Sequence, residues 1–471
     1  PQSGNILRCP LAHFYSAVDI IKDFGSIAGI TNANSWSHVA PDDQNDWINQ
    51  RDVSFDAHIS MGEKNGAVSP LFEVYSRGIE TGRDAWCTNF SEIDLSRNIQ
   101  KTVDFYNEQV AHFERIRTDG SSAKDLVRYT PEAISWTSSL FASLERGTQL
   151  AFESSDIRTG LYRPFEKRHV YLNKGLIHRM GKNFSIFPIS GIENKIISVP
   201  NSGNITPFSA LMANTFLDLF VTAAKGGTQC FPLHLYDHQD EGTGGLFADQ
   251  TFGPQRRDGI TDAGLKHFQD AYPGETITKE DLFYYVYGLL HSEDYRAKYA
   301  DNLSKELPRI PRVKTAADFW AFSRAGRELG DLHVNYETVE PYPVTIKQGD
   351  LRLADIKNPE AFYRVTKWAF GKAGKEKDKT IVIYNANITM QDIPLEAYDY
   401  VVNGKPALEW VMERQVVKTD KDSGIENDAN RYAIETMNNP AYPLELFQRV
   451  ITVSLRTMEI VRGLPKLDVM A

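Results

Sequence analysis

The run Phe-Tyr-Tyr-Val-Tyr-Gly-Leu-Leu at 283–290 constrains this chain more than any other segment. It lies in a helical stretch predicted over 279–307, where Phe283, Tyr284, Val286, Tyr287, Leu289 and Leu290 place apolar groups on more than one face. A helix that is apolar all round has to be buried. Other elements must therefore cover it on both sides, which calls for a layered, sizeable core. At 471 residues the chain has that capacity, since a domain takes about 150 residues and two or three are expected. Its 41% hydrophobic, 24% charged and 11% aromatic residues are those of a globular chain, not of a disordered one.

Several classes are excluded early. The longest apolar runs, such as 216–224, are interrupted by Asp218 and fall far short of the roughly 20 residues a bilayer requires. The first residues lack the basic start and apolar block of a signal peptide. Cys9, Cys87 and Cys230 stand far apart with no paired spacing, which argues against a disulfide framework or zinc knuckle and for buried thiols in a cytoplasmic protein. The start at Pro1, without an initiator Met, is read as a cut from a longer polypeptide.

Helical spacing recurs over 98–116 in Val103, Phe105, Tyr106, Val110 and Phe113, and a second helix is predicted over 131–146 with Pro131 in its first turn. Beyond Thr159 short aromatic and β-branched runs, 169–172 and 184–189, are broken by Gly175, Gly181 and Pro188 and read as strands and turns. Residues 207–224 read as an apolar helix, 314–332 as a helix, 380–384 as a strand and 444–461 as an amphipathic closing helix. The fold class that follows is mixed α/β (α+β).

The net charge of −10 argues against a protein that coats nucleic acid, because non-specific DNA affinity comes from neutralising phosphates. Local patches must carry any such contact. One candidate runs through Arg158, Tyr162, Arg163, Lys167, Arg168, Lys174, His178, Arg179, Lys182 and Asn183, a stretch with seven Lys or Arg and one acid, Glu166. Lysines there suit phosphates and arginines have the planar fork for guanine O6 and N7. The other reading is a solvated strand face with Tyr162 and Phe165 in the core. A second polar cluster, 413–425, contains Arg414, Gln415, Lys418 and Lys421 before a turn at Ser423-Gly424, and could equally be an exposed loop of mixed charge. The lysines at 372, 375, 377 and 379 alternate with Glu376 and Asp378 and read as a solvated hairpin or loop.

Apparent catalytic signals fail on their mechanics. Asn439-Pro440-Ala441-Tyr442 approaches the Asn-Pro-Pro-Tyr loop that grips a target adenine in amino-methyltransferases, but it precedes an amphipathic helix and has no glycine-rich cofactor loop upstream. Gly371-Lys372-Ala373-Gly374-Lys375 lacks the spacing and terminal Ser or Thr of a phosphate-binding loop. His234, Asp237, His238 and Asp240 crowd together, yet the zinc-protease glutamate is missing and 242–245 is a glycine-rich loop. No catalytic residue and no metal ligand is assigned.

Longer strings carry a family resemblance across nearly the whole chain. They are Asn-Asp-Trp-Ile-Asn-Gln-Arg at 45–51, Tyr-Ser-Arg-Gly-Ile-Glu-Thr-Gly-Arg-Asp-Ala-Trp at 75–86, Tyr-Arg-Pro-Phe at 162–165, Phe-Ser-Ala-Leu-Met at 208–212, Gln-Cys-Phe-Pro-Leu at 229–233, the aromatic run from 283 through Ser292, and 413–424. Together they resemble the region following the methyltransferase core in Type ISP restriction-modification enzymes. The resemblance implies a division into 1–60, a methyltransferase tail or linker; 61–150, a helical spacer; 151–310, an α+β target-recognition core; and 311–471, its helical C-terminal part. It implies duplex DNA as partner, bound at the two clusters above, and the methyltransferase, ATPase and nuclease parts of one polypeptide as neighbours, with no membrane. S-adenosylmethionine, ATP and Mg2+ would serve those neighbours, where adenine N6 is methylated and DNA is cleaved with ATP, and no cofactor is expected in this chain. The rival expectations are a divergent S-adenosylmethionine-dependent DNA methyltransferase fragment and a non-catalytic protein-interaction scaffold.

Overall fold

A computed structural model describes residues 6–8, 37–63, 69–237, 254–351 and 355–470. Its elements confirm the mixed α/β class and centre on the helix Lys279–His291, in which every residue from Leu282 to His291 is buried. Thr278 and Asp281 close a capping box at its start. The predicted cover is present on both sides. Tyr285 stacks on Phe319 of the helix Ala316–Val334 at 4.6 Å between centroids, and Tyr287 Oη accepts the backbone N–H of Met212 at 2.8 Å from a strand on the other side. Buried phenols need partners, and here Tyr285 donates to the Pro311 carbonyl and Tyr295 to that of Arg309.

Two four-stranded sheets are built from residues 76–232. In one, Phe216–Leu217, Ile157–Arg163, Glu166–Tyr171 and Thr88–Asn89 follow in that order, with the first pairing parallel and the rest antiparallel. In the other, Ser76–Arg77, Thr228–Pro232, Ile196–Pro200 and Leu211–Ala213 are antiparallel throughout. A third sheet, Thr345–Ile346, Thr389–Gln391, Glu376–Ile383 and Ala369–Ala373, belongs to the C-terminal part. Two hydrophobic cores result: one gathers residues between Phe55 and Val334 around the central helix, the other residues between Ile79 and Val453.

Several elements differ from expectation. Residues 207–224 hold the buried strands Leu211–Ala213 and Phe216–Leu217 in place of a helix, because a short apolar run fits either state and here both faces of each strand are covered. At 184–189 there is a 3-10 turn, Asn183–Ser185, in place of a strand; Phe184 and Phe187 turn onto Phe216 at 6.1 and 5.2 Å. The stretch 279–307 breaks at Ser292, which ends the first helix and whose hydroxyl caps the next, Glu293–Lys298. The spacer helix is longer than predicted, Glu92–Ile116, capped by Ser91. Its successor is shorter, Ser138–Glu145, because Thr137 provides the cap six residues after Pro131. The helix Tyr442–Arg462 closes the described chain as the periodicity predicts. No described helix is long and apolar enough to cross a membrane. Cys87 and Cys230 are buried, and burial pushes both thiols up to about 12, so neither is a nucleophile at neutral pH. Cys9 lies outside the described residues.

Candidate nucleic-acid interface

The first basic cluster sits on the hairpin made by Ile157–Arg163 and Glu166–Tyr171. Phe165 turns it in a left-handed conformation, φ 59°, which a large side chain adopts only when packing compels it; it is buried edge-on against Tyr336 at 5.3 Å. The turn aims the neighbouring cations inward. Arg163 meets Asp218 at 2.5 Å, with 13% and 7% of the two side chains exposed, and its guanidinium lies over the Tyr162 ring at 4.0 Å. Burial drives the Asp218 carboxyl up to about 7, against the pull of Arg163. The Tyr162 hydroxyl donates to Asp84 at 3.0 Å. Arg168 is sandwiched between Phe90 and Tyr162, bonded to Glu166 at 2.5 Å and to Asn427 at 3.1 Å. Lys167 pairs with Glu337. These cations hold the fold together, and none of the three points a free charge at solvent.

Presented charge begins further along. Lys174, Arg179 and Lys182 are exposed, Arg179 with 56% of its side chain in solvent and a loose 3.6 Å contact to Glu80. They are fixed from below: Asn183 is buried and donates to the carbonyls of Arg77 and Met180, the Lys182 backbone N–H donates to Ser76, and half-buried His178 bonds Ser139. Arg158 is half-buried and donates to the Ser155 carbonyl. Asn183 is thus buried beneath the exposed cations and not presented with them.

The second cluster begins at the end of the helix Ala407–Arg414 and continues into the hairpin Val417–Thr419/Glu426–Asp428. Arg414 is half-buried, over Trp410 and paired with Glu413. Gln415 is buried, and its backbone carbonyl takes the Trp368 indole N–H at 2.6 Å. Lys418 and Lys421 are exposed. The Lys418 ammonium titrates below its ordinary range through partial burial and then the repulsion of Arg414. Asp420 shapes the tip by accepting Ser423 N–H and Oγ–H at 2.9 and 2.7 Å.

The two clusters meet in space although 259 residues separate the pair that joins them, Arg168 and Asn427; Asn89 adds a bond to the Glu426 carbonyl. Beside the junction is a groove of about 680 Å³ between 79–86, 129–136, 218–220 and the tip at 420–422. It combines Trp86, Trp136 and Phe220 with Asp84, Asp420 and Asp422. Its lining carries Glu80, Asp84, Asp218, Asp420 and Asp422 against Arg83. Nothing in the sequence announces this groove, because its walls come from four distant segments. His234 contacts Asp258 and Asp237 pairs with Arg257, while His238 and Asp240 lie outside the described residues. Among the described residues no three His, Cys, Asp or Glu side chains converge as metal ligands.

Comparison with known proteins shows which class of module this fold and arrangement belong to. The family model described as the Type ISP C-terminal specificity domain matches residues 70–446, and the chain belongs to that family. Among solved structures it is similar to a nuclease-deletion mutant of the Type ISP restriction-modification enzyme LlaGI in complex with a DNA substrate mimic, at 35% identity and a TM-score of 0.78. The ATP-dependent Type ISP restriction-modification enzyme LlaBIII bound to DNA matches at 34% and 0.78, and a DrdV–DNA complex at 26% and 0.76. These likenesses cover 96%, 93% and 99% of this chain but span only 38%, 26% and 44% of the others. No curated protein sequence matches.

Proposed function

We propose that this chain selects a specific sequence in duplex DNA for a Type ISP restriction-modification enzyme. The observation that carries the reading is membership of the specificity-domain family, together with 35% identity over 96% of the chain to an enzyme held on a DNA substrate mimic. The physical division of labour is that phosphate contacts position a protein on the duplex and side chains at base edges specify the sequence. The presented cations Lys174, Arg179, Lys182, Lys418 and Lys421 suit the first task. Methylation of adenine N6 with S-adenosylmethionine and ATP- and Mg2+-dependent cleavage would be performed by methyltransferase, ATPase and nuclease parts beyond this chain, in the cytoplasm, with recognition here gating them.

Selection of bound duplexes from a randomised pool at moderate salt tests the reading. The expected result is enrichment of one asymmetric motif, with an affinity that falls as salt rises. Absence of both enrichment and salt-dependent binding would overturn it.

A further inference from the structure

The third sheet carries a feature that its own architecture does not use. The strand Glu376–Ile383 pairs with Thr389–Gln391 only at Val382 and Ile383. Its pairing with Ala369–Ala373 runs on much further, through Gly371 opposite Asp378, Lys372 opposite Lys377 and Ala373 opposite Glu376. A register shift between Phe370 and Gly371 separates this outer part from the sheet. Residues 371–378 therefore form a two-stranded ribbon with no third strand beside it among the described residues, turned at Gly374, φ 66°, with every residue of 372–377 exposed.

The charge on the ribbon is as unspent as its backbone. Lys372, Lys375 and Lys377 form no ion pair with any described residue, whereas Lys379, at the root, is tied to Glu409 at 2.9 Å. Asp378 is occupied by Thr380, whose N–H and hydroxyl both donate to it. Three ammonium groups with no ion pair among the described residues thus stand on an exposed ribbon, Lys377 also lying 5.8 Å from the Phe370 ring centroid, in a chain whose net charge is −10. The root of the ribbon lies near the second cluster: Glu409, which anchors it, and Arg414, which leads into that cluster, lie on one helix of eight residues, a length of about 12 Å. A two-stranded ribbon has the cross-section that a major groove admits, and lysines without a planar fork serve phosphates better than base edges.

We propose that the ribbon 371–378 grips the sugar-phosphate backbone of duplex DNA flanking the recognised bases, a positioning arm and not a base reader. This rests on the DNA-recognition reading above and extends the interface beyond the two basic clusters. The competing role for lysines on an edge strand is to block edge-to-edge association.

The test uses the protein with Lys372→Ser, Lys375→Ser and Lys377→Ser together, all at exposed positions, checked by an unchanged melting curve. Affinity for duplexes from the selected pool is measured against salt concentration. Each lost phosphate contact removes about 0.9 from the slope of log affinity against log salt, so the variant is expected to have a slope shallower by about 2 to 3, equally on matched and mismatched duplexes. Single variants would divide that change between them. Unchanged slope and affinity in the triple variant, while the parent binds DNA, overturn the arm and leave the recognition reading standing; new self-association of the variant in sedimentation would then assign the lysines to edge protection. Failure of the parent to bind any duplex would overturn both.

Discussion

Arg163 illustrates how a residue type suited to DNA can be consumed by the fold. Its partner Asp218 has 7% of its side chain exposed, and removing one member of a buried pair leaves the other uncompensated, at a cost of about 3–5 kcal/mol. Arg163→Ala is therefore expected to lower the urea midpoint markedly, with DNA affinity of the folded fraction little changed; a normal midpoint with lost affinity would restore Arg163 to the DNA surface. A second residue-scale effect concerns protons. His333 bonds the Tyr287 hydroxyl through Nδ1 at 2.6 Å and Thr457 through Nε2 at 2.9 Å, and burial holds its pKa down at about 3. The unfolded imidazole titrates near 6.5, so below that pH the unfolded state binds a proton that the folded state refuses. Stability is whole above pH 6.5 and declines toward pH 3, by roughly 2 kcal/mol for this group between pH 6.5 and 5. Denaturant titrations at pH 8, 6.5 and 5 should show that decline, and His333→Gln, though less stable at pH 8, should show a shallower one. Equal slopes in the two proteins would remove His333 as the cause.

At the scale of elements, the helices Lys279–His291 and Ala316–Val334 touch backbone to backbone. A Cβ on Gly326 would sit 1.9 Å from the Tyr284 carbonyl oxygen, and one on Gly288 2.1 Å from that of Phe322. Neither carbonyl can yield without breaking a helix, so Gly326→Ala is expected to cost at least about 3 kcal/mol, the upper end for overpacking. Thermal unfolding decides it, and a change within 1 °C would contradict the close crossing. These two helices were legible in the sequence because their apolar periodicity is long. Residues 207–224 were misread because burial on both faces erases the alternation that marks a strand, and the break at Ser292 was missed because the apolar pattern runs across it. The candidate site was legible in part. A strand carrying Tyr162 and Phe165 and the turn at Ser423-Gly424 could be located from their residues, but the hairpin turn at Phe165 and the fate of the cations could not: Arg168 is consumed by Asn427, and Lys167 by Glu337, partners that no local pattern reveals.

For the whole molecule the governing quantity is where its charge faces. A chain of net charge −10 repels a polyanion at long range, so binding must depend on a few presented cations and on confining the duplex to their side. Arg179 and Lys182 are well placed for this, being exposed while their backbone is pinned through the Arg179–Glu80 bridge and the Lys182 bond to Ser76. Replacing both with Ala removes surface charge with little effect on folding, since an exposed ion pair such as Arg179–Glu80 contributes at most about 1 kcal/mol. If both hold phosphates, the slope of log affinity against log salt falls by about 2 and affinity weakens uniformly across DNA sequences. If one of them reads a base, the loss instead concentrates on the preferred duplex and the motif relaxes at a single position. Measuring the double variant against matched and mismatched duplexes at several salt concentrations separates these outcomes, and an unchanged slope with unchanged preference would move the DNA path away from this edge of the molecule.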